Sequence, residues 1–357
     1  MIKQIKTSLV AMALVALIAP NLQAQNTIEE QLLNEFRALR RSVEGISRTF
    51  DQVIKRVDDL MWNQMLGDIA QVDRVRLTGP PRTTQPDPNN RFATNPVQFV
   101  SYVIIPRSVD PNKKYPLIVL PHSGVSGGFS TYYAHVIREL IAQEYIVIAA
   151  EYRGGSGSGS GAYESGLEVE DVLASRNHMV QTYPIVDPNR VGIMGWSQGG
   201  MIALMNVLTY PDKYNCVFAG VPVPDPENQF ASPSPSPSNV TANAGGSGRS
   251  SSQGERKAPS AYAKNLSKPL LIHTNKNGDK VYVEEMRLMV DALKRNNKSF
   301  EYKELEDFPG GESSNWIDDG KNTEIRFAIH KFLEKYLNPP KPFRSQADLR
   351  KAAYRYY

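Results

Sequence analysis

A serine flanked by glycines carries the strongest chemical signal in the sequence. Residues 195–200 read Gly-Trp-Ser-Gln-Gly-Gly; they follow the apolar run Val191–Met194 and precede a helical pattern. This strand–turn–helix setting is typical of a nucleophile elbow, in which a sharp turn exposes a serine hydroxyl. The amide of Gln198, at the start of the helix, is expected to point at a developing oxyanion. The arrangement predicts acyl transfer through Ser197.

Strand-like and helical segments alternate through the body of the chain. The strand-like runs are 99–105, 116–120, 145–150, 190–194, 216–221, 269–273 and 299–305. The helical patterns between or after them are 130–142, 167–182, 198–210, 282–296 and 322–337. This alternation predicts an α/β fold with a doubly wound, mostly parallel sheet. Catalytic groups in such sheets belong in loops at the carboxyl ends of the strands.

The composition excludes several classes of protein. A hydrophobic share of 41% and a charged share of 22% are ordinary for a globular protein and exclude a wholly disordered or multi-span membrane chain. A net charge of +4 is too small to indicate nucleic acid binding. The one cysteine, Cys216, forms neither an intrachain disulfide nor a cysteine zinc site, and its apolar neighbours predict burial. We predict no metal and no cofactor.

The first residues have the pattern of a secretory signal peptide. Lys3 and Lys6 precede the apolar run Leu9–Ile18, and Ala24 is a small residue at the expected cleavage point. The run is well short of the ~20 residues that span a bilayer. We therefore predict a signal peptide over residues 1–24, a secreted or periplasmic protein and no membrane span after cleavage.

A heptad repeat follows the predicted signal peptide, in a helix expected over residues 27–66. Its apolar residues, with alternating spacings of four and three, are Leu32, Phe36, Leu39, Val43, Ile46, Phe50, Val53, Val57 and Leu60. Such a repeat is typical of a coiled coil, which would make a homo-oligomer through residues 32–60. A long helix packed along the chain's own catalytic domain has the same pattern. The repeat does not identify its partner, so both interpretations stay open.

Several longer motifs resemble the catalytic domain of the prolyl oligopeptidase family of serine peptidases. They are Lys114–His122, Glu151–Gly154, Gly166–Val172, Asp187–Gly200, Ala219–Val223 and Lys268–His273. The resemblance spans roughly residues 99–338 in family order, and it implies an α/β-hydrolase fold and a peptide or ester substrate. About 75 residues separate Ala24 from the first predicted strand, which is too few for the family's propeller domain.

The resemblance also gives a domain plan. The hydrolase domain is expected at 67–340, followed by a basic tail at 341–357. Residues 224–258 are rich in Ser, Pro and Gly and interrupt the resemblance. We predict a disordered insertion there, because the segment has too little apolar surface to offset its ordering entropy. A lid is less favoured for the same reason.

The catalytic triad is where the sequence departs from the family. The family's aspartate position falls at Gly278, and the nearest carboxylate is Asp279. Its histidine position is Glu312, in the loop 307–314. The loop implied to stabilise the oxyanion reads His-Ser-Gly at 122–124 in place of His-Gly-Gly, with Gly124 as a donor beside Gln198.

These departures leave two interpretations of the function. One is a secreted serine hydrolase that works through Ser197 with an impaired triad. The other is a catalytically inactive hydrolase-fold protein that serves binding or assembly. Among the five histidines, His273 ends a strand on the catalytic edge and is the only plausible substitute base, while His122 resembles a structural histidine of the family.

Overall fold

The computed structural model describes residues 31–43, 45–46, 49–50, 53–82, 95–124, 127–155, 166–222, 259–276, 278, 280–306 and 322–352. The predicted signal peptide, the insertion 224–258, Asp279 and Glu312 lie outside these residues. The chain divides into two compact units, Met1–Arg56 and Val57–Tyr357.

The described residues of the first unit are helical. Residues 31–43, 45–46, 49–50 and 53–56 have helical backbone, and their heptad side chains are exposed. Residues 57–66, at the start of the second unit, are also helical. A single continuous helix over residues 30–60 stays a prediction, because the remaining positions lie outside the described residues.

An eight-stranded sheet lies at the centre of the second unit, within the described residues. Its strands are β1 (Ala70–Thr78), β2 (Gln98–Pro106), β3 (Tyr115–Val119), β4 (Ile146–Ala150), β5 (Val186–Trp196), β6 (Cys216–Gly220), β7 (Leu270–Asn275) and β8 (Glu301–Leu305). The spatial order is β1-β2-β4-β3-β5-β6-β7-β8. Strand β2 is antiparallel to β1 and β4, and all other neighbours are parallel. The predicted doubly wound α/β-hydrolase sheet is confirmed.

Helices cover both faces of this sheet. They are α1 (Ala134–Ala142), α2 (Leu167–Thr182), α3 (Gln198–Thr209), α4 (Lys280–Arg295), α5 (Thr323–Leu337) and α6 (Gln346–Ala352). Successive side chains of a strand point to opposite faces, so Leu117 and Val119 enter one apolar cluster while Ile118 and Leu120 enter the other. Burial on both faces explains the continuous apolar runs of the central strands.

Among the described residues, one strand and one α-helix were not predicted from the sequence. Strand β1 lies at the sheet edge. The alternation of apolar and polar residues, from which a half-buried strand is predicted, breaks between Val72 and Val75. Helix α6 lies in the segment described above only as a basic tail. Its Leu349 is fully buried, and Arg138 donates a hydrogen bond from Nε to the carbonyl of Ala352 at 3.2 Å.

Cys216 is buried, as predicted, and burial raises the pKa of its thiol above the ordinary value. Among the described residues, no helix is long and apolar enough to cross a membrane.

Candidate active site

Ser197 occupies a strained turn between β5 and α3. Its φ is 53° and its ψ is −122°, a conformation that costs a residue other than glycine about 1–3 kcal/mol. Two hydrogen bonds hold it there: the Ser197 amide donates to the carbonyl of Gly220 at 2.9 Å, and the Ser197 carbonyl accepts from the amide of Met201 at 3.0 Å. The turn therefore places the serine at the N-terminus of a helix, as the sequence pattern predicts.

The glycines around Ser197 are required by close packing. A Cβ at Gly195 would lie 2.5 Å from the carbonyl carbon and oxygen of Gly199. A Cβ at Gly199 would collide with the carbonyl oxygen of Pro121 and lie 2.7 Å from that of His122. Both contacts are with backbone, which cannot rotate away. Gly199 thus lets the loop 121–124 lie directly against the elbow.

We expect Gly199→Ala to slow the reaction of Ser197 with a fluorophosphonate by about 100-fold or more. The added methyl group must displace the loop 121–124. Loss of one oxyanion donor costs about 10²–10³ in rate. The rate of covalent labelling measures this effect. Gly45→Ala is the matched control, since a Cβ there meets nothing within 4 Å. Equal labelling rates for the two variants would contradict the close packing described here.

The loop 121–124 presents the backbone amide that was expected to stabilise an oxyanion. The Ser123 amide donates to the hydroxyl of Tyr133 at 2.7 Å, so it is already engaged. Within the described part of the chain, the amide of Gly124 donates no hydrogen bond. Gly124 has a φ of +82°, in the left-handed region that favours glycine. Gly124, which the resemblance implies as an oxyanion donor beside Gln198 at the first position of α3, therefore stays a prediction in this role.

Tyr133 is the residue near this loop that sequence analysis missed. Besides accepting from the Ser123 amide, its hydroxyl donates to the Ser123 Oγ at 2.9 Å. Burial raises the pKa of Tyr133 above its ordinary value, so the hydroxyl keeps its proton at neutral pH. The serine that replaces the family's glycine at position 123 is thus held by two hydrogen bonds. The only sequence signal was an aromatic residue ten positions downstream of Ser123, which does not specify a contact.

His122 is a buried part of the loop. Its Nδ1 lies 3.0 Å from the carbonyl of Ser123, and its Nε2 lies 3.6 Å from Oε2 of Glu151. The ring stacks on Tyr152 with centroids 4.2 Å apart, and the Tyr152 hydroxyl donates to the His122 carbonyl at 2.9 Å. These contacts tie the loop to the end of β4, in agreement with a structural histidine.

An ion pair between Arg153 and Asp171 fixes the segment that follows β4. Both side chains are fully buried. Arg153 donates from Nε to Oδ2 and from Nη2 to Oδ1 of Asp171, each at 2.8 Å, and its backbone amide donates to Oδ2 at 3.0 Å. Nη2 also donates to the carbonyl of Pro80 at 2.9 Å. This pair links the catalytic edge of the sheet to α2 and to the segment after β1.

The helical residues 57–66 contact residues 129–131, which follow the loop 121–124 in the chain. Trp62 stacks on Phe129 with centroids 5.1 Å apart and an interplanar angle of 12°. Asp58 accepts a hydrogen bond from the Thr131 amide at 2.9 Å, and the Thr131 hydroxyl also donates to it. Phe129 in turn donates from its amide to Oε1 of Glu151 at 2.9 Å. Phe129 and Thr131, which precede α1, are thereby held from both sides.

The acid and base positions are only partly described. Gly278, at the family's aspartate position, donates from its amide to the Asn275 carbonyl at 3.2 Å. Asp279 and Glu312 lie outside the described residues, so their placement relative to Ser197 stays a prediction. Among the described residues, no cluster of three or more His, Cys, Asp and Glu side chains could hold a metal ion.

His273, the expected substitute base, is buried in the core at the end of β7. It pairs in register with Gly220, and its ring lies edge-on to Phe218 with centroids 5.3 Å apart. Burial, together with the charge of Lys303, lowers the pKa of His273 to about 4. An imidazole with this pKa holds a transferred proton poorly at neutral pH, so His273 is a weaker base than an ordinary histidine.

A strained serine between a parallel strand and a helix, with the loop 121–124 packed against the turn, is the site of an α/β-hydrolase. Residues 131–336, more than half of the chain, match the model of the prolyl oligopeptidase family, and the chain belongs to that family. Both the fold and the family that the sequence motifs indicated are confirmed.

Known proteins resemble parts of this chain. Human dipeptidyl peptidase 8 is 30% identical over 129 residues, which are 33% of this chain and 14% of that protein. The acylaminoacyl peptidase of Pyrococcus horikoshii has a TM-score of 0.58 at 17% identity, covering 81% of this chain and 46% of that one. The Pyrococcus furiosus esterase Pf2001 has a TM-score of 0.54 at 18% identity, covering 77% and 95%. At these identities, the two structural similarities show the fold alone.

Proposed function

We propose that this protein is a secreted serine hydrolase that transfers acyl groups through Ser197, with slow turnover because its triad is impaired. The observation that carries the proposal is the strained conformation of Ser197, whose φ is 53°. The closely packed Gly195 and Gly199 flank it. A costly conformation of this kind persists only where the surrounding structure imposes it. An unreactive surface serine has no need of such a turn.

The expected reaction follows from the groups around the turn. Ser197 Oγ attacks the acyl carbonyl carbon and loses its proton to a base, while the carbonyl oxygen becomes an oxyanion. The amides of Gln198 and Gly124 are the proposed donors to that oxyanion. The bond to the leaving group then breaks: an amine departs with the proton that the base took up, whereas an activated alcohol departs as its anion. Water then hydrolyses the acyl-serine that remains, which restores the hydroxyl of Ser197.

The base is the weak part of this site. Histidine has a reference pKa of ~6.5, whereas the pKa of Glu is ~4.3, so Glu312 at the family's histidine position accepts a proton less well. In serine peptidases, loss of one triad member leaves a catalysis of roughly 10³–10⁴ over water. We therefore expect residual turnover in place of full peptidase activity.

Esters are the favoured substrates of such a site. An amine leaves only after it gains a proton, which the family's imidazolium normally supplies. An activated alcohol leaves without that proton, so an ester depends less on the missing histidine. Peptides stay the substrate class that the family suggests, at a lower rate than esters.

Export is the untested part of the proposal. The charged start, the apolar run Leu9–Ile18 and the small residue Ala24 support it, as does a chain with a single cysteine. Intact-mass analysis of the protein recovered from its native host is expected to show an N-terminus at Gln25.

Labelling with a fluorophosphonate probe tests the proposal, because the probe reports activation of a serine without requiring its substrate. We expect one equivalent of label on the folded protein and none on Ser197→Ala. Ser299→Ala, at an exposed position, is the control and is expected to label normally. A folded protein that stays unlabelled would overturn the proposal in favour of an inactive binding or assembly protein, and so would labelling that survives Ser197→Ala.

A further inference from the structure

An exposed apolar stripe runs along the helical residues at the start of the chain. We call it the heptad face; its members are Leu32, Phe36, Leu39, Val43, Ile46, Phe50, Val53, Val57 and Leu60. Each of these side chains is between 51% and 77% exposed. Soluble proteins rarely expose runs of large apolar side chains unless these bind a partner.

The opposite side of the helical residues 57–66 is already occupied. Trp62, Met65 and Leu66 are buried in the hydrolase core, and Asp59 accepts a hydrogen bond from the hydroxyl of Tyr102 at 2.5 Å. In the heptad, Asp58 and Met65 take position b, Asp59 and Leu66 take position c, and Trp62 takes position f. The heptad face takes positions a and d. The helical residues 57–66 therefore pack on the domain through one side and leave Val57 and Leu60, at positions a and d, exposed.

This separation distinguishes the two interpretations of the repeat. A helix whose heptad face packs on its own domain would bury Val57 and Leu60, which lie in the same compact unit as that domain. Instead, Val57 is 53% exposed and Leu60 is 77% exposed, while Trp62 is buried. We propose that the heptad face is covered by a second copy of this chain in a coiled coil.

The charges beside the heptad face favour a second copy as the occupant. The flanking e and g positions carry Glu35, Arg40 and Arg56 among otherwise uncharged residues. In a parallel pair, Glu35 at g faces Arg40 of the second copy, five residues further along. In an antiparallel pair, Glu35 faces Arg56 of the second copy. Self-association thus pairs opposite charges in either orientation and places no like charges together.

Light scattering on the purified protein tests this inference directly. We expect an integral multiple of the single-chain mass, and a fall to the single-chain mass for the variant Val43→Glu/Phe50→Glu, which puts charge into two central layers. The matched control is Arg37→Glu/Arg41→Glu, which changes charge on the opposite side and is expected to keep the assembled mass. Thermal melting of the hydrolase domain checks that all variants stay folded.

A native protein of single-chain mass would overturn the inference, and so would an assembled mass that survives Val43→Glu/Phe50→Glu. Neither measurement uses activity, so the result is independent of the function of Ser197.

Disulfide trapping tests the same contact and gives its orientation. Cys216 is the chain's only cysteine and is buried, so a cysteine introduced on the heptad face is the reactive one. In a parallel pair, Phe36→Cys and Val53→Cys each form a disulfide-linked dimer under oxidation, because each residue faces its own copy. In an antiparallel pair, only a mixture of the two variants does so. Either result supports a second copy on the heptad face, and the absence of cross-linked dimer in all three samples contradicts it.

Discussion

The double substitution Gly278→Asp and Glu312→His is expected to raise ester hydrolysis by orders of magnitude. It restores the family's Asp and His at the positions that the resemblance assigns, in the chain order Ser, Asp, His. The restored imidazole would take the proton of Ser197 and return it to the leaving group, and the aspartate would orient the ring. The measurement is the kcat for an activated ester, compared with that of the unmodified protein.

The local structure at Gly278 leaves room for the new aspartate. A Cβ there would lie 3.2 Å from the carbonyl oxygen of Asn275 and 3.7 Å from Cγ2 of Val283. The nearest neighbour must therefore shift by only a few tenths of an ångström. This substitution is not expected to unfold the loop that follows β7.

Controls separate a restored triad from an unrelated gain. Each single substitution should raise the rate far less than the pair, because triad members act as a unit. Ser197→Ala in the double variant should abolish the gain. No gain at all from a folded double variant would show that the defect is not confined to the triad, with Ser123 in the oxyanion loop the first position to change. Native turnover at the level of an ordinary serine peptidase would show that another base, with His273 the first candidate, already serves Ser197.

Arg153→Met is expected to lower the free energy of unfolding by about 3–5 kcal/mol, because it leaves the buried carboxylate of Asp171 without its counter-charge. Urea denaturation measures the loss. The reactivity of Ser197 is expected to fall as well, since Arg153 ties the segment after β4 to α2 and to Pro80.

Two further variants test whether the unpaired carboxylate of Asp171 causes the loss of stability. Lys113→Met removes an exposed pair whose Lys113 Nζ and Asp110 Oδ2 are 3.8 Å apart, and it should cost no more than about 1 kcal/mol. Arg153→Met/Asp171→Leu removes both buried charges and should recover part of the loss, because no isolated charge is left. If the double variant were less stable than Arg153→Met alone, the cause would be packing and not the unpaired carboxylate.

Local patterns in the sequence predicted most of the sheet. The strands β2 to β7 contain apolar runs because both faces of the sheet are covered, and burial on both faces leaves a continuous hydrophobic signal. Strand β8 lies at the other edge, where Phe300 and Tyr302 alternate with polar residues. Strand β1 gave no such signal, since it is an edge strand with mostly exposed or half-exposed side chains. Helix α6 was missed because a single buried residue, Leu349, is too little to make a periodic pattern.

The sequence by itself determined the nucleophile elbow, because the glycines, the serine and the adjoining strand and helix are all neighbours along the chain. Only the tertiary structure decided that the Ser123 amide is already engaged, since Tyr133 accepts its hydrogen bond through a contact that no spacing rule specifies. The same holds for Asp58 and Thr131, which are 73 residues apart. The heptad repeat was equally ambiguous in sequence, and the burial of Trp62 opposite the exposed Leu60 is what favours one interpretation of it. Periodicity records which side of an element is apolar, whereas the partner of that side depends on contacts between distant segments.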